Sequence, residues 1–206
     1  MVAVIDYGVG NLFSLRCSLQ KLGVDAVVTR DKAVLAAADR VILPGVGAFR
    51  DARQKLRDTG LDQSVCALAR GGKPLLGICL GMQLLFQKSY EFGEYDGLGL
   101  LRGSVRPLRD VIPADYKIPQ IGWNALRFRK ESPLFRHIKD GDYVYFVHSY
   151  YAADCEDSLI ADCDYGAAIT AAVQQGNICG CQFHPEKSGD VGLAILRAFC
   201  FEEDER

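Results

Sequence analysis

Short apolar runs alternate with amphipathic stretches along the first half of the chain. The runs are rich in branched apolar residues, a pattern typical of buried strands, and between them apolar residues recur at helical spacing. Strands are predicted at residues 2–5, 24–29, 40–43 and 75–78, and helices at residues 11–22, 33–38, 49–56 and 61–70. Because strands that alternate with helices form parallel sheets, this half predicts a doubly wound α/β sheet that binds ligands at the carboxyl ends of its strands.

From about residue 100 the pattern changes to strands and turns with few helices. Strands are predicted at residues 122–127, 143–149, 158–163, 167–174 and 178–183, and a closing helix at residues 188–201. These segments favour antiparallel additions to one core over a second domain. We therefore predict one domain over residues 1–206, of the α/β class, with a mostly parallel central sheet and antiparallel additions. The acidic tail, residues 202–206, is predicted to fray.

Composition excludes several classes of protein. With 206 residues, 49% of them hydrophobic, the chain can bury a large core, which excludes disorder. A net charge of −2 without a block of Lys or Arg argues against electrostatic capture of nucleic acid. No apolar run approaches the roughly 18 residues of a membrane span. The eight cysteines contain no C-x-x-C pair, which predicts free thiols in a reduced, cytoplasmic protein and no metal site.

The segment Gly-Ile-Cys-Leu-Gly-Met-Gln, residues 77–83, joins a predicted strand to a helix-compatible run over residues 82–86. A cysteine between two glycines at such a turn is typical of a nucleophile elbow, which pushes the side chain of Cys79 into a cleft. The N–H groups of the first helical turn favour a thiolate there and can hold an oxyanion. The alternative is that Cys79 is a small buried hydrophobe, as free cysteines often are.

The chain has three histidines that could serve such a nucleophile as a base. His137 lies in a charged stretch and His148 lies in an aromatic strand. His184 follows a predicted strand and precedes Pro185 and Glu186, so the carboxylate can fold back onto one imidazole nitrogen and orient the other. These residues predict a Cys79, His184 and Glu186 arrangement for thiol nucleophilic catalysis.

The loop Pro-Gly-Val-Gly, residues 44–47, ends a strand on the same predicted face of the sheet. Glycines let a peptide N–H rotate toward a substrate at little steric cost. The N–H groups of Val46 and Gly47, together with that of Leu80, are therefore predicted oxyanion donors. A plain strand-to-helix turn is the alternative.

Two motifs together, Gly77–Gln83 and Gln-Phe-His-Pro-Glu at residues 182–186, resemble those of the class I (triad) glutamine amidotransferases. Three further segments narrow the resemblance to the glutaminase subunits of imidazole glycerol phosphate synthase, an enzyme of histidine biosynthesis. They are Ile-Asp-Tyr-Gly-Val-Gly-Asn-Leu at residues 5–12, Pro-Gln-Ile-Gly-Trp-Asn at residues 119–124 and Tyr-Phe-Val-His-Ser-Tyr at residues 145–150. The resemblance covers residues 2–200 and implies a flavodoxin-like, three-layer fold.

The same resemblance implies that glutamine is the substrate, with no cofactor. Cys79 would form a glutamyl thioester, and the family's contacts imply that Glu91 binds the substrate ammonium while Ser149 and Tyr150 contact its carboxylate. Gln83 lies one turn beyond Cys79 and could contact the head group. Gln83 could also be an ordinary polar residue at a helix start, and Glu91 an ordinary surface residue.

A partner is implied as well: a (βα)8-barrel cyclase subunit, in a heterodimer, which receives the ammonia and makes imidazole glycerol phosphate and an aminoimidazole carboxamide ribotide. Asn11, Trp123, Tyr145 and Lys187 would lie at the interface. Trp123 could equally be a core aromatic. The rival interpretations are a glutaminase serving another pathway (anthranilate, guanylate, purine or pyridoxal phosphate), a catalytically silent binding module and, more weakly, a cysteine peptidase.

Overall fold

The structure, a computed structural model, describes residues 1–201, so the fraying predicted for residues 202–206 lies outside the described part. Apart from α5, its helices follow the predicted amphipathic stretches closely. They are α1 Leu12–Lys21, α2 Lys32–Ala37, α3 Phe49–Asp58, α4 Leu61–Arg70, α5 Leu80–Leu84 and α6 Gly189–Cys200. Within the described residues, none of these helices is long and apolar enough to cross a membrane.

The strands of the first half also lie where the apolar runs predict them. They are β1 Val2–Ile5, β2 Ala26–Thr29, β3 Arg40–Leu43 and β4 Leu75–Ile78. The later strands are β5 Phe86–Ser89, β6 Tyr95–Asp96, β7 Leu101–Pro107, β8 Gln120–Ala125, β9 Arg127–Phe128, β10 Tyr143–His148, β11 Tyr150–Ala153, β12 Leu159–Asp164, β13 Ala168–Gln175 and β14 Ile178–Cys181.

The central sheet has eight strands in the order β2-β1-β3-β4-β14-β13-β12-β9. Strands β2 to β14 along this order pair in parallel, and β13, β12 and β9 continue the sheet antiparallel. The predicted α/β class, with a mostly parallel sheet and antiparallel additions, is confirmed. Because β3, β4 and β14 are parallel neighbours, the loops after their carboxyl ends meet at one edge.

Both faces of the sheet are covered, which explains the apolar runs. Along β1, Val2 and Val4 pack on one face and Ala3 and Ile5 on the other. Helices α1 and α6 and the β8–β10 pair cover the first face, whereas α2, α3, α4 and the sheet β11-β7-β5-β6 cover the second. Alternating side chains of a strand point to opposite faces, so both must be apolar here.

The secondary structure predicted from the sequence is wrong around α5 and incomplete in the residues after it. The helix-compatible run over residues 82–86 does not continue as helix: α5 ends at Leu84 and Phe86 begins β5. Strand β5 is held by pairing with β6 and β7, the next two strands along the chain, and it lacks β-branched residues that would signal it locally. The strand predicted at residues 122–127 divides at Leu126, which is fully buried, so that β8 and β9 join different sheets.

Candidate active site

Cys79 lies at a sharp turn between β4 and α5 with φ 53° and ψ −113°, a positive φ that non-glycine residues rarely adopt. Close backbone packing explains the glycines on either side. A Cβ on Gly77 would lie 2.7 Å from the backbone of Met82, and one on Gly81 would collide with the carbonyl oxygen of Leu43. The turn therefore fits only with glycine at both positions, and it aims the Cys79 side chain out of the sheet.

His184 lies just beyond the end of β14, next to Cys79. Pro185 begins a turn of 3₁₀ helix, Pro185–Lys187, which brings the Glu186 carboxylate Oε1 to 2.8 Å from His184 Nδ1. The side chains of His184 and Glu186 are 2% and 3% exposed. Burial by itself lowers the pKa of His184, but hydrogen bonds to the Cys79 sulfur and to Glu186 outweigh it and raise that pKa to about 10. At neutral pH His184 is therefore an imidazolium between a sulfur and a carboxylate.

One cavity of about 490 Å³ opens onto Cys79 and His184. Every predicted oxyanion and substrate residue lies on its wall, although these residues come from distant parts of the chain. They are Val46, Gly47, Leu80, Gln83, Glu91, Ser149 and Tyr150. The structure therefore brings together what the sequence left separate.

The 44–47 loop rests on the first turn of α5. A Cβ on Gly45 would lie 2.7 Å from the Gly81 backbone nitrogen, so the two backbones touch. The buried hydroxyl of Tyr7 donates a 2.7 Å hydrogen bond to the Pro44 carbonyl and fixes the start of the loop. Gly47 has φ +93°, which glycine adopts without strain. The loop thus lies beside the Cys79 turn, where a rotated N–H could face an oxyanion.

Comparison with known proteins identifies the family of this chain. The sequence model of the family "Glutamine amidotransferase class-I" matches residues 3–202. The chain belongs to this family. It is 48% identical over 202 residues to the imidazole glycerol phosphate synthase subunit HisH of Wolinella succinogenes, covering 97% of this chain and 98% of that one. The HisH of Bacillus cereus is 49% identical over 203 residues, covering 97% and 93%.

Solved structures share the fold at low sequence identity. A glutamine amidotransferase crystal structure has a TM-score of 0.74 and 21% identity, covering 96% of this chain and 97% of that one. A structure of PurLQS from Thermotoga maritima has a TM-score of 0.71 and 20% identity, covering 96% of both chains. The class I glutamine amidotransferase fold is therefore the fold of this chain.

Gln83 is more constrained than the sequence suggests. Its side chain is almost fully buried, and its Nε2 donates to the Tyr150 carbonyl oxygen at 3.0 Å and to Gln182 Oε1 at 2.9 Å. Both amide hydrogens are thus used inside the protein. Any contact with a substrate in this amidotransferase must come from the carbonyl oxygen or the stem of Gln83.

Glu91 is half-buried at the cavity wall and is not an ordinary surface residue. Its Oε2 accepts a 2.6 Å hydrogen bond from the Phe49 backbone N–H. Burial raises the pKa of Glu91, the Phe49 N–H lowers it, and the carboxylate of Asp51 raises it further, with a net increase. A cation bound in the cavity beside Glu91 would offset the cost of keeping this carboxylate charged.

Sequence reasoning missed several site residues, among them one that touches Cys79 and three polar or aromatic residues that line the cavity. Gln182 belongs to a recognised motif, but only the structure reveals that its Nε2 donates to Cys79 Sγ at 3.6 Å. His148 was considered only as a possible base, and it is a buried residue on the same wall. Arg109 and Phe92 also line the cavity, and neither lies in a motif that could have signalled it.

The residues expected at an interface divide into two places. Trp123 on β8 and Tyr145 on β10 are cross-strand partners with ring centroids 6.0 Å apart, and Lys187 Nζ lies 5.9 Å from the centre of the Tyr145 ring. Trp123 is 51% exposed, so it is not a core aromatic. Asn11 instead lines a crevice with Pro44, Gly45, His184 and Glu186, among others.

Proposed function

We propose that this chain is the glutaminase subunit of an imidazole glycerol phosphate synthase, and that it hydrolyses L-glutamine to glutamate and ammonia. The observation that carries the proposal is the contact of Cys79 with His184, whose other nitrogen lies 2.8 Å from Glu186, at the end of one cavity. The HisH relatives at 48–49% identity, named as subunits of that synthase, support the choice among amidotransferases.

The chemistry follows from the protonation of His184. The Cys79 thiolate attacks the side-chain amide carbon of glutamine, and the imidazolium gives its proton to the leaving nitrogen, which departs as ammonia. Water then attacks the glutamyl thioester while His184 accepts a proton from it, and the carbon–sulfur bond breaks. Glutamate leaves and the thiolate–imidazolium pair is restored. Glu186 orients His184 throughout.

The walls of the cavity support the assignment of glutamine. Glu91 would bind the substrate ammonium, and Ser149 with Tyr150 would contact its carboxylate. The N–H groups of Val46 or Gly47, with that of Leu80, would hold the oxyanion. Loss of one such donor typically costs about 3–4 kcal/mol of transition-state stabilisation, so rotation of the 44–47 loop could switch the activity on and off.

An exposed aromatic face supports the second part of the proposal, a partner. Trp123 and Ile121, with Tyr143 on the neighbouring strand, are more than half exposed on the β8–β10 pair. Aromatic residues are enriched in protein interfaces, and a solvent-exposed face of this kind is unfavourable in an isolated protein. The partner would be a (βα)8-barrel cyclase subunit, in a heterodimer, which uses the ammonia to make imidazole glycerol phosphate and the carboxamide ribotide. Passage of ammonia between the subunits is part of this proposal.

Hydrogen bonds connect that face to residues 184–188, the triad loop, which carries His184 and Glu186. The His184 N–H donates to the Tyr145 carbonyl at 3.0 Å, and the Tyr145 N–H donates to Ser188 Oγ at 2.9 Å. Ser188 Oγ in turn donates to the His184 carbonyl at 2.7 Å. A partner that repositions β10 would therefore move the triad loop. We therefore expect the isolated chain to be a weak glutaminase. We also propose a cytoplasmic location, because eight free cysteines are typical of a protein in a reducing compartment.

The test is glutamate release from glutamine, measured for the chain alone and with the cyclase subunit and its nucleotide ligand. Wild type and Cys66→Ala, a half-buried cysteine away from the cavity, should become active in the complex, whereas Cys79→Ala should be inactive. Activity in Cys79→Ala would refute the triad. Full activity of the lone wild-type chain would refute the coupling, and inactivity under every condition would indicate another synthase or a silent module.

A further inference from the structure

Gln182, two residues before His184, touches the sulfur of Cys79. It follows β14 directly, is fully buried, and its backbone N–H is anchored to the Ala171 carbonyl on β13 at 2.8 Å. Its side-chain Nε2 donates to Cys79 Sγ at 3.6 Å, within hydrogen-bond range for sulfur. Its Oε1 accepts from Gln83 Nε2 at 2.9 Å.

The direction of this chain of hydrogen bonds is fixed at its outer end. The Tyr150 carbonyl oxygen can only accept, so Gln83 must turn its NH₂ group toward it. The second hydrogen of that NH₂ then points to Gln182, so the side-chain carbonyl oxygen of Gln182 must accept it. The Gln182 amide nitrogen is thereby left facing Cys79 Sγ. An amide in the opposite orientation would set two donors against each other at Gln83.

We propose that Gln182 is a second hydrogen-bond donor to the nucleophile, which stabilises the Cys79 thiolate and holds its sulfur toward the substrate. The inference rests on the proposed function, because it needs Cys79 to act as a thiolate. A donor to the charged form of a group favours that form. Gln182 is uncharged and buried, so its contribution does not change with pH.

The two donors have different roles in the reaction. His184 must leave the sulfur to deliver its proton to the departing nitrogen. Gln182 has no such task and can stay on the sulfur from attack to release of the thioester. Through Gln83 and the Tyr150 carbonyl, the same hydrogen bonds tie the nucleophile to the wall of the substrate cavity. The position of Cys79 Sγ therefore depends on that wall.

Gln120 offers a matched control elsewhere in the molecule. It is also fully buried, and its Nε2 donates to Cys163 Sγ at 3.5 Å and to Asn124 Oδ1 at 2.9 Å. A buried amide beside a cysteine sulfur is thus present at both sites. Cys163 does not line the catalytic cavity. If burial alone explains Gln182, the two glutamines should behave alike on substitution.

The test is the pH dependence of alkylation of Cys79 by iodoacetamide, followed on the full chain by mass spectrometry of the Cys79 peptide. Gln182→Met removes the donor at similar volume. Gln182→Glu keeps an acceptor for Gln83 but places oxygen against the sulfur. Both should move the midpoint of alkylation upward by about one pH unit and lower glutaminase turnover at neutral pH about tenfold. Gln120→Met should leave the Cys79 midpoint in place, whatever stability it loses.

An unchanged midpoint in the folded Gln182 variants would overturn the inference, as would an equal shift in Gln120→Met. If Gln182→Met does not fold, Gln182→Glu decides, since it keeps the shape and the acceptor. The proposed function fails separately: turnover that persists in Cys79→Ala removes the triad regardless of Gln182. Loss of turnover in Cys79→Ala with a shifted midpoint in Gln182→Glu supports both.

Discussion

Two buried histidines line the same cavity, and at neutral pH one is uncharged and the other is a cation. Burial lowers the pKa of His148 to about 4, although the Tyr150 carbonyl at 2.8 Å from its Nδ1 opposes that decrease. His184 has a pKa of about 10 because its hydrogen bonds to the Cys79 sulfur and to the Glu186 carboxylate outweigh the effect of burial. His148 is thus a neutral donor in the wall, and only His184 can exchange protons with a thiolate at neutral pH.

These pKa values predict how stability depends on pH. The unfolded chain protonates His148 near pH 6.5 but the native state only near pH 4, so stability falls by about 3 kcal/mol as the pH drops between those values. His184 acts in the other direction: its stabilisation is complete below about 6.5 and is lost as the pH rises toward 10.

Urea unfolding as a function of pH tests the assignment of His148. His148→Asn, whose amide can imitate the Nδ1 donor, should lose the acid-side dependence due to this residue, so its stability should fall less steeply below pH 6.5 than that of the wild type. His137→Asn changes an exposed histidine and should keep the wild-type slope. Equal slopes in all three proteins would contradict the buried, neutral state of His148.

The proposed triad predicts that Glu186 contributes to catalysis through His184. Glu186→Gln replaces the buried carboxylate by a neutral amide, which lowers the pKa of His184 and can favour the wrong tautomer. We expect turnover in the complex to fall about 10³-fold with little change in KM, since Glu186 does not line the cavity that would bind the substrate. Glu94→Gln alters an exposed carboxylate and serves as the control. Wild-type turnover in Glu186→Gln would exclude Glu186 from the triad.

At the scale of elements, sequence signals were sufficient where the cause is local. Strand β4, the Cys79 turn and the 3₁₀ turn after His184 each carry their own pattern of apolar residues, glycine or proline. Strands β5 to β7 were missed because pairing with one another, and not a local run of β-branched residues, creates them. The hydrogen bond from Gln182 to Cys79 was missed for a different reason: it joins residues 103 positions apart, which no local pattern can reveal.

Because α5 packs closely against the end of β3 at Gly81, we predict that a side chain at this position destabilises the protein. Gly81→Ala places a methyl group against the Leu43 carbonyl, so α5 or the 44–47 loop must move. We expect a loss of about 2–3 kcal/mol in the free energy of unfolding and loss of glutaminase activity in the complex. Gly71→Ala, at an exposed helix end with φ −76°, should change stability by less than about 1 kcal/mol. Denaturant titration distinguishes the two, and equal stability would contradict the close packing.

At the scale of the whole molecule, the two faces of the central sheet are covered differently. Helices α2, α3 and α4 and the four-stranded sheet enclose one face, whereas the β8–β10 pair on the other face carries an exposed aromatic surface one strand away from the triad loop. Alternation along β10 explains this placement. Val144, Phe146 and His148 are buried toward the core, so Tyr143 and Tyr145 point outward beside Trp123. The backbone carbonyl of Tyr145 accepts the hydrogen bond from the His184 N–H.

This arrangement predicts that the exposed aromatic face controls both binding and activity. Trp123→Asp puts a charge at the centre of the surface, and we expect it to weaken the affinity for the cyclase subunit by about 2 kcal/mol, roughly 30-fold in Kd. Gln63→Asp adds the same charge on α4, at the opposite face of the sheet, and should bind normally. Calorimetry with the purified cyclase measures both. At cyclase concentrations that saturate Trp123→Asp, glutaminase activity reports whether the surface also transmits activation. Wild-type affinity in Trp123→Asp would show that the partner binds another surface. Contacts other than those of β10 would then have to align His184.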